Sequence, residues 1–162
     1  MSRRRTVWAG VASTMLAAGL VAIVLASTAE AGDRDTRHET IRLHDTTTAT
    51  SLVDLNHNSV PEPGDSLLFH EEDRRSGNVV EYNDSQCVVA LADTYLCHVV
   101  VSVVDRGEVD LDGSIPAPGG AFPADFDIGI TGGTGDFARA RGYGHVHQTS
   151  DSTAEDTLVV LP

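Results

Sequence analysis

The chain has 162 residues, with 24 Asp and Glu against 11 Lys and Arg, so it is one domain's length of sequence with a formal charge of −13. It contains no Lys, and only eight of its Arg residues lie beyond the first five positions. Because nucleic-acid backbones are bound by clustered Lys and Arg, this composition excludes a nucleic-acid binder. Aromatic residues make up 5% of the chain and Val, Thr, Ile and Leu dominate its apolar stretches, a mixture that favours strands.

The first 31 residues have the pattern of an export signal. Three Arg at positions 3–5 precede an uncharged apolar run over 7–26, and Ala29-Glu30-Ala31 has the small-x-small spacing that signal peptidase reads. We predict cleavage after Ala31, which leaves a secreted protein of charge −15 that has no membrane association. An uncleaved anchor is the alternative, since about 20 apolar residues can span a bilayer. Arg4 and Arg5 fit a loose twin-arginine export pattern, and the same basic start fits the general secretory route at least as well.

Residues 32–44 are polar and of mixed charge, which predicts a flexible leader before a domain that covers 45–162. Within that domain, short alternating or Val-rich segments recur between Gly- and Pro-containing turns, as in all-β proteins. No window of ten or more residues there has the 3.6-residue apolar period of a core helix. The predicted strands are 46–55, 66–71, 78–91, 95–104, 108–114, 125–130, 138–148 and 154–161.

Eight strands are enough to close an antiparallel up-and-down barrel, whose lumen is filled by side chains or holds one small ligand. Closure also removes the exposed edges of an open sheet. In residues 125–130 the apolar side chains alternate with acids, so Phe126, Ile128 and Ile130 are expected to face inward. The sequence therefore predicts an all-β barrel.

Two cysteines in an exported chain indicate a disulfide. Cys87 and Cys97 flank a predicted hairpin, and a turn centred on Ala92 places them directly opposite each other. Opposed residues of antiparallel strands are within disulfide reach. We predict a Cys87–Cys97 bridge, with two separate thiols as the alternative.

Residues 132–135 (Gly-Gly-Thr-Gly), with Phe137 and the Ala-Arg-Gly-Tyr run 140–143, resemble a segment of plant dirigent proteins. The earlier part of the chain is more similar to allene oxide cyclases, in the Gly-Asp-Ser-Leu-Leu-Phe run 64–69, in Cys-Val at 87–88 and in Val-Asp-Leu-Asn at 53–56. These segments span most of residues 53–160. The resemblance implies an eight-stranded barrel of the allene oxide cyclase and dirigent type. Taken alone, the glycine run is a turn in which backbones approach closely.

The resemblance implies a hydrophobic cavity that steers the stereoselective cyclisation or isomerisation of a reactive intermediate. Asp54 corresponds to a cyclase carboxylate that assists epoxide opening, and Asn56 is placed to position a water molecule. Glu71 lies where the related proteins have Asn or Asp, and Arg141 is a candidate pocket cation. Two alternatives stay open: a solvated strand-end acid for Asp54, and an Arg tied to a carboxylate at the barrel rim for Arg141. Leu68 replaces a cyclase Pro, which counts against the same substrate.

The expected partner is a hydrophobic small molecule, with no cofactor. Related barrels are often trimeric, so the resemblance also implies a homotrimer or another homo-oligomer. The candidate pocket residues are Phe69, Val99, Val101, Phe126, Ile128 and Tyr143.

No metal site is predicted. Residues 54–65 are spaced like a calcium loop, but the sixth position is Ser59 where such a loop has Gly, and two prolines stiffen the segment. His145 and His147 lie on one face of a predicted strand without the third ligand that a metal centre needs. No serine lies in a Gly-x-Ser-x-Gly elbow, so a hydrolase triad has no support.

Two classes of function remain. The first is an exported cyclase- or isomerase-like barrel that acts on a hydrophobic intermediate. The second is a non-catalytic secreted barrel that binds a ligand or has a structural role. Fold alone does not separate them, whereas an open lumen that contains a carboxylate would favour the first.

Overall fold

The computed structural model describes residues 38–91 and 93–161. The predicted signal segment 1–31 and residues 32–37 of the predicted leader lie outside these ranges. The strands are β1 (Glu39–Val53), β2 (Ser66–Arg75), β3 (Asn78–Leu91), β4 (Thr94–Val103), β5 (Gly107–Pro116), β6 (Asp125–Gly133), β7 (Arg141–Ser150) and β8 (Thr153–Leu161). Short 3₁₀ turns occupy Pro118–Gly120 and Gly135–Phe137.

Each strand pairs antiparallel with its neighbours in chain order, and β8 closes onto β1 to complete a barrel. The predicted all-β, eight-stranded up-and-down barrel is therefore confirmed. Among residues 38–91 and 93–161, no helix is long and apolar enough to cross a membrane.

The first strand begins earlier than the sequence predicts. β1 starts at Glu39, which pairs with Val160 of β8, so residues 39–44 belong to the barrel and not to a flexible leader. The physical reason is alternation: Leu43 and Asp45 face inward and are buried, while Arg42 and His44 face outward. The high polarity of this segment concealed its inward-facing residues.

The glycine run 132–135 ends β6 and begins a compact turn, so β7 starts at Arg141 and not at residue 138 as predicted. Phe137 is buried in this turn with 2% of its surface exposed. Gly135 has a φ of 57°, and a Cβ at this position would collide with the carbonyl of Arg106. The turn therefore requires glycine for both its conformation and its close backbone contact.

The disulfide prediction is confirmed. Cys87 of β3 and Cys97 of β4 are direct cross-strand partners, with an S–S distance of 2.05 Å and a Cα–Cα distance of 4.0 Å. Both residues are buried and face the lumen. The bridge therefore ties β3 to β4 inside the barrel.

Candidate functional site

A cavity of about 120 Å³ lies inside the barrel, and residues from all eight strands line it. Gly144 has no side chain to fill this space, and a Cβ there would press on Leu111 and Leu158. Gln148 and Asp151 also line the cavity and are exposed. The cavity therefore reaches solvent at the end of the barrel that carries the loops 117–124 and 151–152.

One side of the cavity is formed by apolar side chains of β4, β5 and β6, here called the apolar wall: Val99, Leu111, Ile115, Phe126 and Ile128. Leu111 and Ile115 are at most 2% exposed. Strand alternation places these side chains inward, while the acids between them face solvent. This wall excludes water from one half of the lumen.

Phe122, in the loop 117–124, lies against the apolar wall at the mouth of the cavity. Its ring stacks on Tyr95 with 4.6 Å between centroids and meets Phe69 edge-on at 5.9 Å. The Tyr95 hydroxyl donates a hydrogen bond of 2.9 Å to the carbonyl of Gly120 in the same loop. These contacts fix the loop beside the cavity entrance.

The opposite side, here called the polar wall, consists of Thr47, Glu71, Asn83 and Asp156 on β1, β2, β3 and β8. Thr47 Oγ1 donates to Glu71 Oε1 at 2.9 Å, and Asn83 Nδ2 donates to Glu71 Oε2 at 3.0 Å. Burial raises the pKa of Glu71, the Thr47 hydrogen bond opposes this shift, and the negative charge of Asp45 adds to it. Both oxygens of Glu71 are thus held as acceptors on the cavity surface.

Asp156 lies on the same wall with 6% of its surface exposed. Burial raises its pKa to about 8, and the negative charges of Asp45 and Glu71 add to the shift. Burial and these charges therefore favour the acid form of Asp156, which can donate a proton. Two carboxyl groups with different hydrogen-bond partners on one cavity wall can serve as a base and an acid.

Asp45 and Glu81 lie behind this wall and, with Asp156, form a group that we call the carboxyl cluster. Asp45 is 1% exposed and Glu81 is 0% exposed, and no described residue donates a hydrogen bond to the carboxyl oxygens of either one. Burial raises the pKa of Glu81 to about 10, and the charge of Asp45 adds to this shift. Burial and the neighbouring acids therefore favour the protonated forms of these three carboxyl groups, whose pKa values are all raised.

Most of the predicted pocket residues line the cavity. Val101 is buried in the barrel core at 1% exposure but does not line the cavity. The predicted site residues that do line it are Phe69, Glu71, Val99, Phe126 and Ile128, together with Cys87 and Cys97 of the disulfide.

Asp54 and Asn56 lie outside the cavity, in the loop between β1 and β2. The Asp54 carboxylate accepts hydrogen bonds from the backbone N–H groups of Ser59, His57 and Asn56, and these bonds lower its pKa. The Asn56 side chain donates to Glu62 at 2.6 Å. Both residues hold the shape of the loop.

Arg141 and Tyr143 face the outside of the barrel, because Gly142 and Gly144 occupy the inward positions of β7. Arg141 donates to the carbonyls of Thr131 and Ala140 at 3.0 and 2.6 Å, so it is tied to backbone and not to a rim carboxylate. Tyr143 is 48% exposed. Neither side chain reaches the lumen.

Sequence reasoning missed Asp156, Asn83, Thr47 and Phe122. For Asp156 a signal was present: in 154–161 it falls on the same face as Leu158 and Val160, so it is an acid on an apolar face. Phe122 follows a Pro- and Gly-rich stretch, and no periodicity marks it.

The imidazoles of β7 are paired on the outer surface. His145 Nδ1 lies 2.7 Å from Asp127 and His147 Nδ1 lies 2.6 Å from Asp125, both across the β6–β7 pair. Within the part of the chain that the structure describes, no group of three or more His, Cys, Asp or Glu could hold a metal ion.

No protein-family model and no curated protein matches the chain. Several solved structures, in contrast, superpose on the chain. A pyocyanin demethylase superposes with a TM-score of 0.64 at 21% identity, over 75% of this chain and 99% of that one. The pterocarpan synthase dirigent protein GePTS1 superposes with a TM-score of 0.64 at 12% identity, over 77% and 84% of the two chains. The Diels–Alderase AbmU from Streptomyces koyangensis superposes with a TM-score of 0.56 at 14% identity, over 78% and 69%.

The chain therefore has the same barrel fold as these three structures. This result agrees with the resemblance of the segments 64–69 and 132–143. At these identities the likeness defines the architecture, and the chemistry depends on the residues of the cavity.

Proposed function

We propose that the protein is an exported barrel that encloses a hydrophobic intermediate and steers its stereoselective cyclisation or isomerisation. The observation that carries the proposal is the presence of Glu71 and Asp156 on one wall of a cavity whose other wall is apolar. A dirigent synthase and a Diels–Alderase among the structural neighbours support it.

The two carboxyl groups take different roles. Asp156 gives a proton to an oxygen of the bound intermediate, such as that of an epoxide or a carbonyl. Glu71, held by Thr47 and Asn83, stabilises positive charge that develops on carbon and then accepts a proton from that intermediate. One proton given and one taken leave the composition of the substrate unchanged, as an isomerisation requires.

The apolar wall and Phe122 supply the stereochemical control. Side chains that surround an intermediate exclude water and limit the conformers from which a ring can close. Asp54, Asn56 and Arg141 have no part in this proposal, because they lie outside the cavity.

Export is part of the proposal. The basic start, the apolar run and the small-residue site in 1–31 support it, as does a disulfide, which persists in oxidising compartments.

The test is to incubate the protein with a panel of hydrophobic unsaturated epoxides and polyenes, and to resolve the products by chiral chromatography. We expect an enantiomeric excess with the wild type that Glu71→Gln and Asp156→Asn abolish. Glu155→Gln, on the outer face of β8 next to Asp156, is the matched control and should retain the excess. Racemic products from compounds that bind in the cavity would instead assign a non-catalytic ligand-binding barrel.

A further inference from the structure

The polar wall has hydrogen-bond acceptors that the protein leaves unmatched. Asn83 Oδ1 and Asp156 Oδ1 are buried, and neither accepts a hydrogen bond from any described residue. Asn83 is 5% exposed and Asp156 is 6% exposed, and both line the cavity beside the Glu71 carboxylate. A buried acceptor without a donor costs free energy, so a ligand that brings donors to this wall gains free energy by supplying them.

The same wall has no positive charge. Among the described residues that line the cavity, none is Arg or His, and the chain has no Lys. His70, which neighbours Glu71 and does not line the cavity, lies 2.7 Å from Asp84 through Nδ1. Arg75 at the end of β2 is exposed and pairs with Asp73 at 3.2 Å. The acids on the cavity surface are Glu71, Asp156 and, at the mouth, Asp151. The electrostatic field in the cavity therefore favours a cation.

We propose that the ligand of this cavity is a hydrophobic primary amine in its protonated form, with the ammonium on the polar wall and the hydrocarbon on the apolar wall. An ammonium carries three donors, and the polar wall offers it acceptors on Glu71, Asn83 and Asp156. Asp156 in its acid form carries no charge and still has an oxygen that accepts a hydrogen bond. The single positive charge of the ammonium is then balanced by the carboxylate of Glu71. This inference rests on the proposed function for its use of the cavity and adds the substrate class.

The aromatic residues at the mouth agree with this assignment. Phe69 and Phe122 line the cavity together, with ring centroids 5.9 Å apart. Ring faces attract cations as well as apolar groups. A protonated amine therefore meets favourable surfaces along its path from the entrance to the polar wall.

The experiment measures the binding of three probes of similar shape to the purified protein by calorimetry near neutral pH. The probes are 2-phenylethylamine, 2-phenylethanol and phenylacetate. We expect the amine to bind at least about tenfold more tightly than the alcohol, since a charge-assisted hydrogen bond is stronger than a neutral one, and the carboxylate to bind most weakly. This comparison uses the wild type and needs no variant.

Variants then locate the preference. Glu71→Gln removes the charge at nearly constant shape and should lower affinity for the amine to that for the alcohol, while binding of the alcohol persists. Glu155→Gln should leave both affinities unchanged. Equal binding of amine and alcohol by the wild type would overturn this inference and leave the proposed function standing. Failure of all three probes to bind would count against the cavity as a site, and so against both.

Discussion

The two walls of the lumen differ in what they contribute. The apolar wall on β4–β6 buries hydrocarbon and excludes water, so it stabilises the barrel. The polar wall on β8 and β1–β3 places Glu71 and Asp156 on the cavity surface, with Asp45 and Glu81 behind them. Buried carboxyl groups cost folding free energy. The barrel thus places the groups that cost stability on the side where we propose that the chemistry occurs.

The largest effect is expected from a truncation of the apolar wall. Leu111→Ala should lower the free energy of unfolding by about 2–5 kcal/mol, because Leu111 is 1% exposed and its removal leaves a cavity. Leu91→Ala, at a residue that is 67% exposed, is the control and should cost about 0.5 kcal/mol or less. Urea unfolding followed by circular dichroism measures both. Equal losses would show that this wall is not the source of stability.

The polar wall should make stability depend on pH. The pKa values of Asp156 and Glu81 are raised in the folded state, to about 8 and about 10. Their contribution is therefore fully present below the unfolded pKa of about 4 and is lost as the pH rises through the folded values. We expect the free energy of unfolding to fall by a few kcal/mol, in order of magnitude, between about pH 5 and pH 9.

Urea unfolding across this pH range checks the prediction. Asp156→Asn should flatten the decline, because the amide does not ionise, while Glu155→Gln should preserve it. A wild-type stability that is constant or rises from about pH 5 to pH 9 would show that the carboxyl cluster is not held protonated.

The disulfide joins the two walls, since it ties β3 of the polar wall to β4 of the apolar wall. The double variant Cys87→Ala/Cys97→Ala should lose about 2–3 kcal/mol of unfolding free energy, because the loop that the bridge closes is short. The wild type unfolded in the presence of reductant should match the double variant. If the oxidised wild type is no more stable than the double variant, the bridge does not hold the walls together.

The smallest effect is expected outside both walls. Asp54→Asn should leave the binding of 2-phenylethylamine unchanged, because Asp54 accepts hydrogen bonds within its own loop and does not line the cavity. Calorimetry beside Glu71→Gln makes the comparison direct. A loss of affinity as large as that of Glu71→Gln would move the site to the β1–β2 loop.

The apolar wall was largely readable from sequence. In residues 125–130, Phe126 and Ile128 alternate with acids, and this pattern allows only one orientation in a barrel strand. The opposed cysteines were readable for the same reason, since a short hairpin sets the register of its two strands.

The polar wall was readable only in part. Glu71 was expected from its place near Phe69, but Asp156 and Asp45 look like surface acids when each is considered alone, because buried acids are rare. Asp54 is the residue best supported by the resemblance. It directly follows β1, which ends at Val53, so its side chain belongs to the loop and not to the lumen.

The sequence by itself determined the strands, the closed barrel, the inward residues of β6 and the cysteine pairing, because these follow from local alternation and turn chemistry. Only the tertiary structure decided which acids share one wall of the cavity. Glu71 and Asp156 are 85 residues apart along the chain, and they meet because β8 closes onto β1 beside β2. Which side chains closure brings onto one wall is a matter of long-range contacts, and local sequence patterns do not encode these.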